Sequence, residues 1–145
     1  MMLDVDGVEF TYRSASVLDD VSFEVGKAEM LAILGPNGVG KTTLLKCING
    51  ILRARKGTVM VDEEDLSTLS RPEVAKRVGY VAQKGDAGRV TVFESVLLGR
   101  KPYIRWDITK DDIRMAGEMI DRLGLAEISQ RYVEEISGGE FQKVQ

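Results

Sequence analysis

The sequence contains no histidine, a single cysteine, and no apolar run approaching the roughly 20 residues that cross a bilayer. Without histidine, the commonest proton shuttle and metal ligand is missing. Cys47 alone makes no internal disulfide, which fits a reducing compartment. It falls on the apolar side of an expected helix and reads as a core residue. Basic charge is not in excess either. The net charge is −3 and there is no basic tail, so the footprint of a nucleic-acid binder is absent. The opening residues, MMLDVDGVEF, carry acid where a secretory signal carries Lys or Arg. Internal repeats and low-complexity segments are also lacking. What is there, 145 residues with 43% hydrophobic and 30% charged content, is the composition of a globular chain with a modest core.

The first third has strand character. VEFTY at 8–12 and SVLDDVSFEV at 16–25 alternate or are β-branched. MLAIL at 30–34 is continuously apolar, as in a strand buried on both faces, and it leads directly into GPNGVGKTT. TTLLKCINGIL at 42–52 then reads as a helix with Leu45, Ile48 and Leu52 on one face. GTVMVDEEDL at 57–66 reads as a strand and turn, and VGYVAQ at 78–83 as a buried strand followed by a loop. Three Ser/Thr residues, Ser70, Thr91 and Thr109, stand where helices should start. Ser70 and Thr91 each have a Glu three positions on, which is the capping-box pattern. The helix opened by Thr91 should run through Leu98. The one opened by Thr109 should bury Ile113, Ala116, Ile120 and Leu123 and stop at Gly124. Strands and helices mix up to about residue 85 and helices alone follow. This predicts an α/β core over 1–89 and a helical subdomain over 90–145.

Gly35-Pro36-Asn37-Gly38-Val39-Gly40-Lys41-Thr42 matches G-x-x-x-x-G-K-[ST], with Thr43 next. The residue types have physical reasons. Glycines let the backbone wrap an anion with no Cβ in the way. Successive N–H groups make an anion nest, and the following helix adds its positive end. Lys41 brings a mobile charge for the β- and γ-phosphates, and Thr42 a hydroxyl for Mg²⁺. At the other end, Ser137-Gly138-Gly139-Glu140 has the form of a capping box whose glycine pair leaves backbone amides approachable.

With these segments in this order, the sequence resembles the ATP-binding cassette (ABC) ATPase family. GPNGVGKTTLL is similar to its Walker A segment, VGYVAQ to its Q-loop strand, and ISGGEFQKVQ to its signature, with Ile136 for Leu and Glu140 for Gln. The resemblance implies a P-loop NTPase (RecA-like) core with an antiparallel N-terminal part and a helical subdomain. It implies ATP and Mg²⁺ as cofactors, Tyr12 as an adenine-stacking aromatic, and Gln83 as a sensor of Mg²⁺ and the attacking water. It also implies that Ser137, Gly138, Gly139 and Glu140 act on the nucleotide of an opposite subunit in a head-to-tail dimer.

The family's Asp-Glu-ended Walker B strand, D-loop and switch histidine follow the signature, and none occurs in these residues. The expectation is therefore an incomplete C-terminal part and negligible hydrolysis by this chain alone. TVFESVLLGRKPY at 91–103 is similar to the importer subclass for iron–siderophore, haem and cobalamin. That resemblance implies a membrane permease as partner, a substrate-binding protein indirectly, and a cytoplasmic location against the inner face of the membrane. Val92, Phe93, Val96 and Leu97 are candidates to meet the permease, with core packing as the alternative. A soluble ABC ATPase of translation or repair, and an inactive nucleotide-binding remnant, stay open.

Overall fold

The computed structural model describes residues 3–13, 15–82 and 89–145. They fall into two compact units that divide after Gly79.

The first unit is built on a four-stranded antiparallel sheet, ordered β2-β1-β3-β4. Its strands are β1 (Leu3–Tyr12), β2 (Ala15–Val25), β3 (Lys56–Val61) and β4 (Glu64–Asp65). Val5 and Val8 are both fully buried although three residues apart, a spacing that would point them to opposite faces of a regular strand. A bulge resolves the conflict. Val5 pairs with Phe23 and Val8 with Val21, so β1 carries one extra residue there. Gly7 takes it up at φ 60°, and its N–H donates to Ser22 Oγ at 2.8 Å. β3 answers with Gly57, where a Cβ would stand 2.4 Å from the Gly7 carbonyl group. Helix α1 (Lys41–Ile48) lays Leu44, Cys47 and Ile48 against Val5, Val8, Leu18, Val59 and Val61. Cys47 is thus a core residue, and burial pushes its thiol pKa up. Leu45, expected on the inner face, points outward. Helix α2 (Arg71–Arg77) closes the core with Val74.

Two expected strands, at 30–34 and 78–83, do not form among the described residues. Residues 30–34 and 78–82 have no ladder partner. A strand exists only where a neighbour supplies its hydrogen bonds, and no described strand runs beside either segment. Ile33 tucks against the core, but Met30 is 96% exposed and Leu34 89%. An apolar run expected to be buried on both faces is covered only at Ile33.

The second unit is helical: α3 (Val92–Leu98), α4 (Lys110–Arg122) and α5 (Gly138–Val144). They share a core of Val92, Ile120, Leu125, Val133 and Val144. Residues 129–133 run back along 90–93, with Val133 N–H donating to the Val90 carbonyl at 2.9 Å and Val92 N–H to that of Arg131 at 2.9 Å. This return path delivers the chain to the start of α5. α4 buries Asp112, Ala116 and Ile120, while Ile113 is half exposed, one position off the expected face. The reason is a buried carboxylate. Asp112 accepts from Thr109 Oγ1 at 2.7 Å and from Arg100 Nε at 3.1 Å, and this rotates its face inward. Gly124 ends the helix at φ 67°, as expected.

Candidate functional site

Of the five α-helices among the described residues, four begin with a capping box, Ser70 with Glu73, Thr91 with Glu94, Thr109 with Asp112 and Ser137 with Glu140, and in the last three the N-cap hydroxyl also accepts from the N3 amide. Helix α1 is the exception. Its N-cap is Gly40, in the left-handed conformation at φ 107°, with no side-chain acceptor and no acid in the first turn. The orphan amides of that turn, and the positive end of the helix dipole, are left for something else to satisfy. Lys41 stands at the same place. Its Nζ donates to the carbonyl oxygens of Gly35 and Pro36, both at 2.7 Å. The ammonium thus spans the loop and holds its entry to its exit.

The loop is braced from β2. A Cβ on Gly40 would lie 2.9 Å from the Val17 carbonyl oxygen and 3.0 Å from Val17 Cγ1, so only glycine fits. Gly38, at φ 85°, faces open space. Thr42 is exposed and Thr43 buried, which leaves the Thr42 hydroxyl the one available to a ligand. Tyr12 and the brace lie in the same hairpin. Tyr12 pairs with Ala15 at the end of the β1–β2 hairpin. Val17 is two residues farther along β2, about 7 Å by strand rise. The ring of Tyr12 meets Phe10 edge-on, with centroids 4.8 Å apart, and stays 47% exposed.

In the second unit, Ser137 N–H donates to Glu140 Oε2 at 2.8 Å and Ser137 Oγ–H to the same oxygen at 2.7 Å. These bonds hold the Glu140 carboxyl below its ordinary pKa, helped by the charges of Arg131 and Lys143. A Cβ on Gly138 or Gly139 would meet nothing within 4 Å. The helix start is therefore bare on its outer side, while Val144 anchors its far end in the core. Gln83 lies outside the described residues. Of the four positions considered for a partner surface, Val92 is wholly buried, and Phe93 and Val96 pack on the same core. Only Leu97 is outside that cluster.

The ABC transporter family profile matches residues 18–145. The chain belongs to the ABC transporter family. Among its ABC relatives, an uncharacterized ABC transporter ATP-binding protein of Methanocaldococcus jannaschii is 49% identical over 99% of this chain and 57% of that protein. A phosphonates import ATP-binding protein of Nitratidesulfovibrio vulgaris is 37% identical over 91% of this chain and 54% of that protein. A cobalamin import ATP-binding protein of Halobacterium salinarum is 34% identical over 99% of this chain and 36% of that protein. A solved nucleotide-free ATP-binding cassette from an ABC transporter superposes with TM-score 0.85 at 26% identity, covering 99% of this chain and 62% of that one. The ABC cassette in hand thus spans between about a third and three-fifths of these relatives' lengths. The mixed α/β fold with its antiparallel sheet and separate helices is theirs.

The ABC motifs were visible as strings, but two features of the site were not. Val17, which makes Gly40 obligatory, belongs to a strand some twenty residues away and carries no motif. The absence of a cap on α1 shows only beside the four capped helices.

Proposed function

We propose that this chain carries the ATP-binding part of an ABC importer's ATPase, with the triphosphate of ATP seated in the loop Gly35–Thr43. The observation that carries the reading is the uncapped first turn of α1 together with Lys41. An anion there would satisfy the orphan amides and release the ammonium from two carbonyls onto the β- and γ-phosphates. The residues fit Mg²⁺ as well. Among the described residues, no cluster of three acids or thiols could hold a metal by itself. A magnesium ion would thus take Thr42 and phosphate oxygens and arrive with the nucleotide, where it neutralises charge on the phosphates. Tyr12 would stack on the adenine. Gln83 would sense the ion and the attacking water.

Ser137, Gly138, Gly139 and Glu140 form a capped helix start whose glycine pair leaves its outer side open. We assign it to the nucleotide of an opposing copy, so that two chains enclose two ATP molecules. The partner in the membrane would be a permease, served by a substrate-binding protein, which places the chain in the cytoplasm at the membrane's inner face. The run TVFESVLLGRKPY and the cobalamin-import relative support cargo of the metal-chelate and cobalamin kind. The phosphonate relative marks the alternative cargo.

Calorimetry with MgATP tests the core of the reading. The wild-type chain should bind and Lys41→Ala should weaken binding at least about tenfold, the loss of a charge-assisted contact of roughly 1.5–3 kcal/mol. Absence of heat with the folded wild-type chain sinks the proposal. Phosphate release should stay at background for these residues alone. Steady turnover that Lys41→Ala abolishes would show that these residues hydrolyse ATP by themselves.

A further inference from the structure

Strand β2 breaks its ladder with β1 twice in a short span. Val8 pairs with Val21, Phe10 with Leu18, and Thr11 with Ser16. β2 therefore carries an extra residue on each side of Leu18. Val17 is the one before it. The other lies in the pair Asp19–Asp20, where Asp20 takes φ 48°. A bulge re-aims the side chains around it. In a regular strand, the neighbours Val17 and Leu18 would face opposite sides. Here both reach the same glycine. From the place where Gly40 would carry a Cβ, the Val17 carbonyl oxygen lies 2.9 Å away, Val17 Cγ1 3.0 Å and Leu18 Cδ2 3.2 Å.

Gly40 is the last residue before α1, and its turn at φ 107° sets how Lys41 and the first amides of the helix meet a ligand. The rest of the loop is loosely held. Gly38 faces open space, and Leu34 and Val39 are exposed. A cleft of about 170 Å³ opens between the loop and β2, with Val17, Val21, Ile33 and Leu44 among its walls. Leu18 is committed to the core, whereas Val17 is half-buried and outside the ladder. A loop already fixed in its bound shape loses less freedom when the ligand arrives. We propose that Val17 is a positioning residue for the phosphate loop. The bulge presses its carbonyl and branched side chain onto Gly40, and this fixes the turn that aims Lys41 and the amides of α1. The inference rests on the reading of Gly35–Thr43 as the seat of a triphosphate.

Calorimetry of the full chain with two probes tests the assignment: MgATP, and magnesium tripolyphosphate, which has neither base nor sugar. Val17→Ala should weaken both by the same factor, about fivefold. Val17→Ile keeps the branch at Cβ and has the cleft to receive its extra methyl, so it should bind both within about twofold of wild type. Val21→Ala, in the same cleft wall, should lower the urea midpoint and leave both affinities unchanged. If Val17→Ala does not fold, Val17→Leu, with its branch one carbon farther out, should show the loss in its place. Wild-type affinity in Val17→Ala or Val17→Leu overturns the inference. So does a loss for MgATP alone, which would set Val17 against the nucleoside and not behind the loop. An equal loss in Val21→Ala overturns it too, as a general loosening of β2. Silence of the wild-type chain with both probes removes the triphosphate reading and this inference with it. Wild-type binding that the Val17 variants share removes only the role of Val17.

Discussion

Glycine acts in two opposite ways in this chain, and the difference lies in what a Cβ would touch. Gly57 sits at φ 83° with the Gly7 backbone 2.4 Å from where its Cβ would be. Replacing it forces β3 away from the β1 bulge that turns Val5 and Val8 to the same side. Gly57→Ala should cost about 2 kcal/mol or more, read as a lower urea midpoint. Gly138 has nothing within 4 Å and an ordinary helical start. Gly138→Ala should leave stability within about 1 kcal/mol, on the stabilising side. A fall as large as that for Gly57 would mean Gly138 is packed and not bare. The identity of both residues is plain in the sequence. Which of them is indispensable to the fold is decided by a backbone that approaches from fifty positions away.

At the scale of elements, the helices divide into four closed at their N-termini and one open. The closed ones share an electrostatic signature. Hydrogen bonds from the N-cap residue hold the carboxyls of Glu73, Glu94, Asp112 and Glu140 below their ordinary pKa values. For Asp112 the Arg100 guanidinium adds to this. A carboxyl whose folded pKa is depressed stabilises the fold fully above its unfolded value, about 4. That contribution disappears as pH falls through the lower folded value. Helicity at 222 nm should therefore hold from pH 7 to about 5 and decline below about 4. Glu94→Gln should lower the denaturation midpoint at pH 7 and flatten the acid limb, and an unchanged limb would remove α3 from the explanation. These caps were legible because a capping box is local: four residues carry the whole signal. The strands expected at 30–34 and 78–83 did not form among the described residues for the converse reason, since composition can favour a strand but cannot supply its neighbour.

At the scale of the whole molecule, that missing neighbour has a consequence. Met30, Leu31 and Leu34 stand in water at the entry to the glycine loop before α1, where burial of each would be worth about 1.5–3 kcal/mol. The chain should bind a hydrophobic dye and self-associate with rising concentration, and Met30→Ser/Leu34→Ser should reduce both. Light scattering that is unchanged by the double variant would place the sticky surface elsewhere. The sequence by itself determined the parts whose physics is short-range: the glycine loop leading into α1, the capped helix starts, the hairpin strands and the buried cysteine. Only the tertiary structure decided which face each element shows. It put Asp112 inside and Ile113 outside, set Val17 against Gly40, and left most of an apolar run uncovered. Each of these depends on what lies opposite in space, and no local pattern of residues carries that information.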